Sequence, residues 1–231
     1  MSKSDSWENG LQLLLFNNTN YANVGDATGL RGSTTAGSLY FSLHTADPGE
    51  ANTQNTNEAN YTGYTRVGVL RSSAGFTVTT NQVVNAAAIQ FPAPTAGTNT
   101  LLFWGLGVGA SGATALLYKG PLSSAPLGFA IGDSVSGNII IKSHGLAVDD
   151  RVSFYSIAGL SLPTPVTEGA IYFVRTIPTT DTITLSSTLG GGSPVTLTVS
   201  GQGICFKHTP YVTTVGVQPQ FVAGAFRITE D

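Results

Sequence analysis

The sequence predicts an all-β protein: an antiparallel β-sandwich with a short N-terminal helix and an inserted second small β domain. Three observations predict it. From residue 38 onward, apolar residues alternate with polar ones over short runs, the period of a half-buried strand. Clusters of Gly, Pro, Asn and Ser separate those runs, and the 28 glycines and 11 prolines of the 231-residue chain supply them. No segment between the runs has the length and period of a crossover helix, so a parallel sheet is excluded.

The one helical period comes first. Trp7, Leu11, Leu14 and Leu15 fall at i, i+4, i+7 and i+8, which stacks them on one helix face. Asp5 or Ser6 is expected to cap the first turn, with Glu8 completing a capping box from Asp5. Phe16 extends the apolar face and Asn17-Asn18 stops it. Gly10 weakens such a helix by about 1 kcal/mol relative to Ala, so packing against the rest of the subunit or a neighbour has to support it.

Strands follow. Leu39, Phe41 and Leu43 alternate with Tyr40, Ser42 and His44. Asp47-Pro48-Gly49 then turns the chain, because proline fixes φ, extends the residue before it, and glycine accepts positive φ. Residues 50–63 are rich in Asn, Thr and Glu and read as an exposed loop. Further strands are expected at 64–70, 76–80, 82–89, 100–108, 113–118, 138–142, 151–155, 170–175, 182–186, 195–199, 203–207, 211–217 and 225–229. Gly190-Gly191-Gly192-Ser193-Pro194 is expected to form a tight hairpin. Charge becomes denser and strands shorter between about 133 and 208. The expected organisation is therefore an outer domain of residues 1–132 plus 209–231, interrupted by a small sandwich or barrel-like domain of residues 133–208.

Composition excludes several functions. Charged residues make up 10% of the chain and the net charge is −3, so no clustered positive surface exists for nucleic acid. The longest uncharged apolar run, 101–117, is broken by Gly105, Gly107, Gly109 and Gly112 and reads as strand-turn-strand, so no membrane insertion is expected. The N-terminus leads into no signal-like apolar run. A lone Cys205 leaves no disulfide framework and fits folding in a reducing cytoplasm.

One stretch has a recognisable wording. Leu39-Tyr40-Phe41-Ser42-Leu43-His44-Thr45-Ala46-Asp47-Pro48-Gly49-Glu50 is followed by Thr56-Asn57-Glu58-Ala59-Asn60-Tyr61-Thr62-Gly63-Tyr64-Thr65-Arg66-Val67. This resembles a family of tailed-bacteriophage virion proteins usually labelled tail fibre or structural protein. The resemblance includes the final strand that closes on acidic residues, here Phe221-Val222-Ala223-Gly224-Ala225-Phe226-Arg227-Ile228-Thr229-Glu230-Asp231. Family members often run from the equivalent of Tyr118-Lys119-Gly120-Pro121-Leu122 almost directly into that strand, which agrees with an insertion here. The middle is itself similar to a small β module of phage fibre and virion proteins, through Ser143-His144-Gly145-Leu146, Asp149-Asp150-Arg151-Val152, Leu162-Pro163, Ala170-Ile171-Tyr172-Phe173-Val174 and Asp181-Thr182-Ile183-Thr184-Leu185-Ser186. The module's usual Gly-Asp turn is Asp149-Asp150 in this chain.

Candidate chemistry is sparse. His44, Asp47 and Glu50 are spaced like metal or acid–base groups, but a strand-end histidine on the polar face and two turn carboxylates explain them more simply. His144 reads as a strand end before a glycine turn, His208 as a linker residue at the return from the insert, and Cys205 as a small strand residue. Nucleophile-elbow, HExxH and CxxC patterns are absent, and the glycines of 105–110 lack a helix to complete a phosphate site. No catalytic residue, cofactor or metal is expected. Tyr40, Tyr61 and Tyr64, beside an Asn-rich loop, are the candidate sugar-stacking rings.

The resemblance implies a non-enzymatic structural component of a tailed-phage virion: an exterior fibre, a neck or collar ring, or a head decoration. Its expected partners are itself, as a symmetric homo-oligomer, and other head, neck or tail proteins. Trp7, Leu11, Leu14 and Leu15 form the candidate assembly face, since such spacing suits helix-in-groove docking. The alternative function is a receptor-recognition module that binds host-surface glycan.

Overall fold

A computed structural model describes residues 3–25, 29–122, 127–129, 131–133, 137–157 and 159–229. It is built of antiparallel strands and one α-helix, α1 (Asp5–Asn17). The first strands are β1 (Ser38–His44), β2 (Val67–Leu70), β3 (Phe76–Thr79), β4 (Gln82–Asn85), β5 (Ile89–Gln90), β6 (Thr100–Leu101), β7 (Phe103–Gly107) and β8 (Leu116–Pro121). Next come β9 (Leu127–Phe129), β10 (Ile131–Asp133), β11 (Asn138–Ile140), β12 (Arg151–Tyr155), β13 (Tyr172–Thr179), β14 (Thr182–Ser186) and β15 (Gly203–His208). The last are β16 (Tyr211–Val212), β17 (Gln220–Phe221) and β18 (Arg227–Thr229).

Two sheets dominate. One has the order β2-β1-β7-β8; the other has seven strands in the order β10-β11-β14-β13-β12-β15-β9. A three-stranded sheet, β18-β4-β3, and the two-stranded pairs β16-β6 and β17-β5 join the last strands of the chain to its first half. The described apolar side chains gather in two clusters. Phe16, Leu39, Phe41, Phe76, Val83, Phe91, Leu106, Phe226 and Ile228 belong to one, where Phe41 and Phe226 meet edge to face at 4.7 Å. Ile139, Val152, Phe154, Val174, Ile183, Leu185 and Cys205 belong to the other. Burial of each large side chain contributes about 1.5–3 kcal/mol, so each cluster is a core in its own right.

Several elements depart from the sequence reading for local polar reasons. The run expected over 100–108 breaks at Leu102, whose N–H donates to the His44 carbonyl while its own carbonyl accepts from Leu122 N–H. The run expected over 82–89 ends at Asn85. The Asn85 amide turns inward, donating to the Ala87 and Val222 carbonyls and accepting from Phe226 N–H, so it ties the C-terminal segment down. Residues 195–199 form no regular strand; one bridge joins Val199 to Thr164, and Val195 N–H donates to the Leu185 carbonyl. The glycine hairpin is instead one 3₁₀ turn, Leu189–Gly191, with Gly190 at φ 78°. Strands β9, β10 and β17 had no sequence signal.

The helix starts differently from expectation. Ser4 is its N-cap, without a side-chain capping bond, so neither Asp5 nor Ser6 caps it. It ends where expected: Asn18 is left-handed at φ 56° and its amide brackets Ser33, donating to the carbonyl and accepting from the N–H. Gly10 has a positive use, because a Cβ there would collide with the Tyr21 ring lying across the helix.

Candidate functional site

The polar face of β1 turns out to be buried. Ser42 and His44 point away from the apolar cluster yet are fully covered by the segment between β1 and β2. This overturns both the exposed loop expected over 50–63 and the exposed strand-end histidine. Gln54, Ala59 and Tyr61 of that segment are buried, and main-chain bonds from Ala59 N–H to Leu43 O and from Gln54 N–H to Thr114 O pin it down.

A connected set of polar side chains lies beneath the segment. His44 donates through Nδ1 to the Thr56 carbonyl at 2.9 Å and accepts through Nε2 from Ser42 Oγ at 2.8 Å. Gln54 donates to Ser42 Oγ and to the Tyr40 carbonyl. Arg66 then donates to both Glu58 oxygens, to Gln54 Oε1, to Thr114 Oγ1 and to the carbonyls of Gly109 and Gly112. Tyr64 donates to Glu58 Oε1 at 3.0 Å and accepts from Leu43 N–H. All five guanidinium donors thus have acceptors, the condition under which a buried charge is tolerated. Burial pushes the His44 imidazole below its ordinary pKa against the opposing Thr56 carbonyl and Glu58 carboxylate, and burial drives the Tyr64 phenol upward. The set is a structural lock. Its groups are spent on one another.

The Asp47 turn carries a second cluster, which meets the seven-stranded sheet. Asp47 accepts from Gly49 N–H at 2.7 Å, from Lys119 Nζ at 2.9 Å and from the Tyr155 hydroxyl at 2.7 Å. Burial alone would raise the carboxyl pKa; these three donors outweigh it and leave the net shift downward. Gly169, at φ 72°, passes so close that a Cβ would overlap the Asp47 carboxylate. An open cleft of about 450 Å³ is lined here by Asp47, Glu50, Lys119, Glu168 and Gly169.

The remaining candidates fall as follows. Helix α1 buries Glu8, Gln12 and Phe16, the i, i+4, i+8 row, against β3 and β4. Trp7, Leu11, Leu14 and Leu15 lie beside that row and are only half covered. Trp7 rests on the Tyr21 ring, with ring centres 5.6 Å apart, and Leu15 also touches the main cluster. Leu11, Leu14 and Leu15 line a groove of about 490 Å³ with Arg31, Arg71 and Tyr118. Tyr61 is 3% exposed and donates to the Pro92 carbonyl, and its ring stands edge-on to Tyr64 at 5.3 Å. Burial raises the Tyr61 phenol to about 12. Tyr64 is half buried with its ring stacked on Phe91 at 6.3 Å, and Tyr40 is half buried across from Gly68.

The remaining histidines and the cysteine are internal. His208 is not a loose linker residue. It is buried, donates to the Leu102 carbonyl, accepts from Ser153 Oγ at 2.7 Å, and packs on the Phe103 ring. Burial lowers its pKa to about 4. His144 is buried before a glycine at φ 61°, and its Nδ1 accepts from Leu146 N–H. Cys205 sits inside the second cluster with its thiol raised to about 12 by burial. Asp149 holds φ 69°, a left-handed value that aspartate tolerates better than most residues. Among the described residues no group of three His, Cys, Asp or Glu side chains is placed to hold a metal, and no helix is long and apolar enough to cross a membrane.

A family model described as podophage GP4 fiber I protein gp80 matches residues 3–140. No curated protein matches the chain.

Proposed function

The chain belongs to the podophage GP4 fiber I protein gp80 family, and on that premise we propose that it is a non-enzymatic structural subunit of a tailed-phage virion, standing on the particle as a symmetric homo-oligomer. The family match over residues 3–140 carries this reading, because it takes in the helix, the β1 motif and the whole polar lock. It favours an exterior fibre over a neck, collar or head-decoration site. The chemistry agrees: Asp47, Glu58 and Arg66 of the motif are engaged in internal bonds that stiffen a β scaffold.

Assembly on other copies and on neighbouring virion proteins would use surfaces left incompletely covered. The leucine groove along α1 is one. The return segment with exposed Val212, Val215 and Val217 is another. Weak contacts of this kind gain strength when copies are held together on one particle.

The chain is further read as two units. Two separate apolar clusters support the division, as does a seven-stranded sheet drawn wholly from residues 127–208. On that reading the border moves from 133 to 127, since β9 and β10 pair with β15 and β11.

Cryo-electron microscopy of intact particles tests the functional proposal. Density for this subunit at fixed, symmetry-related fibre positions is the expected result. Absence of the chain from purified particles by mass spectrometry would overturn it.

A further inference from the structure

We propose that Asp47 is a latch that holds the two units as one rigid body, so that the inserted unit projects from its host at a fixed angle. This goes beyond the virion role and rests on the two-unit reading. Small units joined by short strands of chain move relative to one another unless an interface holds them. Here the covalent connections run through residues 122–127 and 208–211, and among the described residues polar contacts join the halves.

Asp47 sits at the hub of those contacts. Its carboxylate gathers Gly49 N–H and Lys119 from the host and the Tyr155 hydroxyl from β12. Lys119 Nζ also lies 5.3 Å from the centre of the Tyr155 ring, so cation and phenol reinforce the same point. Side-chain exposures of 17% for Lys119 and 13% for Asp47 place this ion pair largely out of water, where such bonds are strengthened. The inserted unit is shaped for it. Gly169 donates to the Phe154 carbonyl next to Tyr155 and leaves room for the carboxylate that any side chain would displace. A second seam, His208 between Ser153 and the Leu102 carbonyl, holds the exit of β15 against the host but is longer at 3.3 Å on the host side.

The test uses the full chain and nitrogen-15 relaxation, which yields a rotational correlation time for each unit. In the unaltered protein both units should tumble together with equal values. Asp47→Ala should drive the two values roughly 1.5-fold apart, the smaller unit tumbling faster. Tyr155→Phe, which removes only the hydroxyl, should give an intermediate ratio, and it decides the matter if Asp47→Ala fails to fold. Unequal values in the unaltered protein, or equal values in both variants with dispersed amide spectra, would overturn the latch. Failure of the two-unit reading shows separately, as loss of folding when residues 127–208 are removed.

Discussion

Arg66 meets Glu58 with two prongs, Nε to Oε1 at 2.7 Å and Nη2 to Oε2 at 2.8 Å, on a guanidinium that is almost wholly buried. A lone buried charge is far worse than a buried pair. Arg66→Met should therefore cost about 3–5 kcal/mol, because Glu58, Gln54 and two carbonyls lose their donor together. Arg66→Lys should recover little, since an ammonium cannot reproduce the fork. Urea denaturation of both variants checks this.

Glycines at positive φ separate backbone strain from collision. Gly112, at φ 76°, has open space around its Cβ position, so Gly112→Ala should cost only about 1–2 kcal/mol of left-handed strain. Gly169→Ala adds the collision with the Asp47 carboxylate and should lower the melting temperature clearly further. Equal losses would show that the turn at 169 moves freely away from Asp47.

Acid should weaken the fold through its buried histidines. His208 has a folded pKa near 4 against 6.5 in the unfolded chain, and His44 is shifted the same way. Between those values the unfolded state binds a proton that the folded state refuses. Stability is thus full above pH 6.5 and falls toward pH 4, at up to about 1.4 kcal/mol per pH unit for each such group. His208→Gln should flatten the slope in that window, measured by urea midpoints from pH 7 to pH 4.

The leucine face of α1 can be told from its buried face by mutation. Phe16→Ala empties a fully buried site and should cost about 3–5 kcal/mol. Trp7→Ala with Leu11→Ala touches half-covered side chains, and the double variant should keep most of its melting temperature as an isolated subunit while failing to join the oligomer. Normal incorporation into particles would sink the assembly role of that face.

Removal of residues 127–208, with a short linker in their place, should leave a cooperatively folding β unit that retains the β18–β4 pairing. Circular dichroism and hydrogen exchange read the outcome. An unfolded product would mean that the first cluster cannot stand alone.

Most of the strands were legible because alternation and turn chemistry act locally. Arg151–Tyr155 and Thr182–Ser186 occur as read. The helix was legible in extent, but the row it buries in its own subunit was not: Glu8 and Gln12 occupy buried positions where apolar residues would be sought. The polar lock was hidden for the opposite reason. Nothing in the composition of 50–63 signals burial, because Gln54 and Glu58 are covered only once Arg66, Thr114 and β1 supply partners from distant positions. Asp47 and Gly169 likewise become neighbours through the fold alone, 122 positions apart in the chain.

The pairing of β18 with β4 fixes an order of events during synthesis. Val83 and Ile228 face one another across a ladder, yet the ribosome makes them far apart in time. The seven-stranded sheet has every strand within 127–208 and can close while the host sheet still waits for its last member. Local closure before distant pairing follows from the entropy of bringing far segments together. On the proposed two-unit reading, residues 127–208 should mature first and the flanking unit close after them. A nascent chain halted before β18 should protect Ile183 from hydrogen exchange while leaving Val83 open.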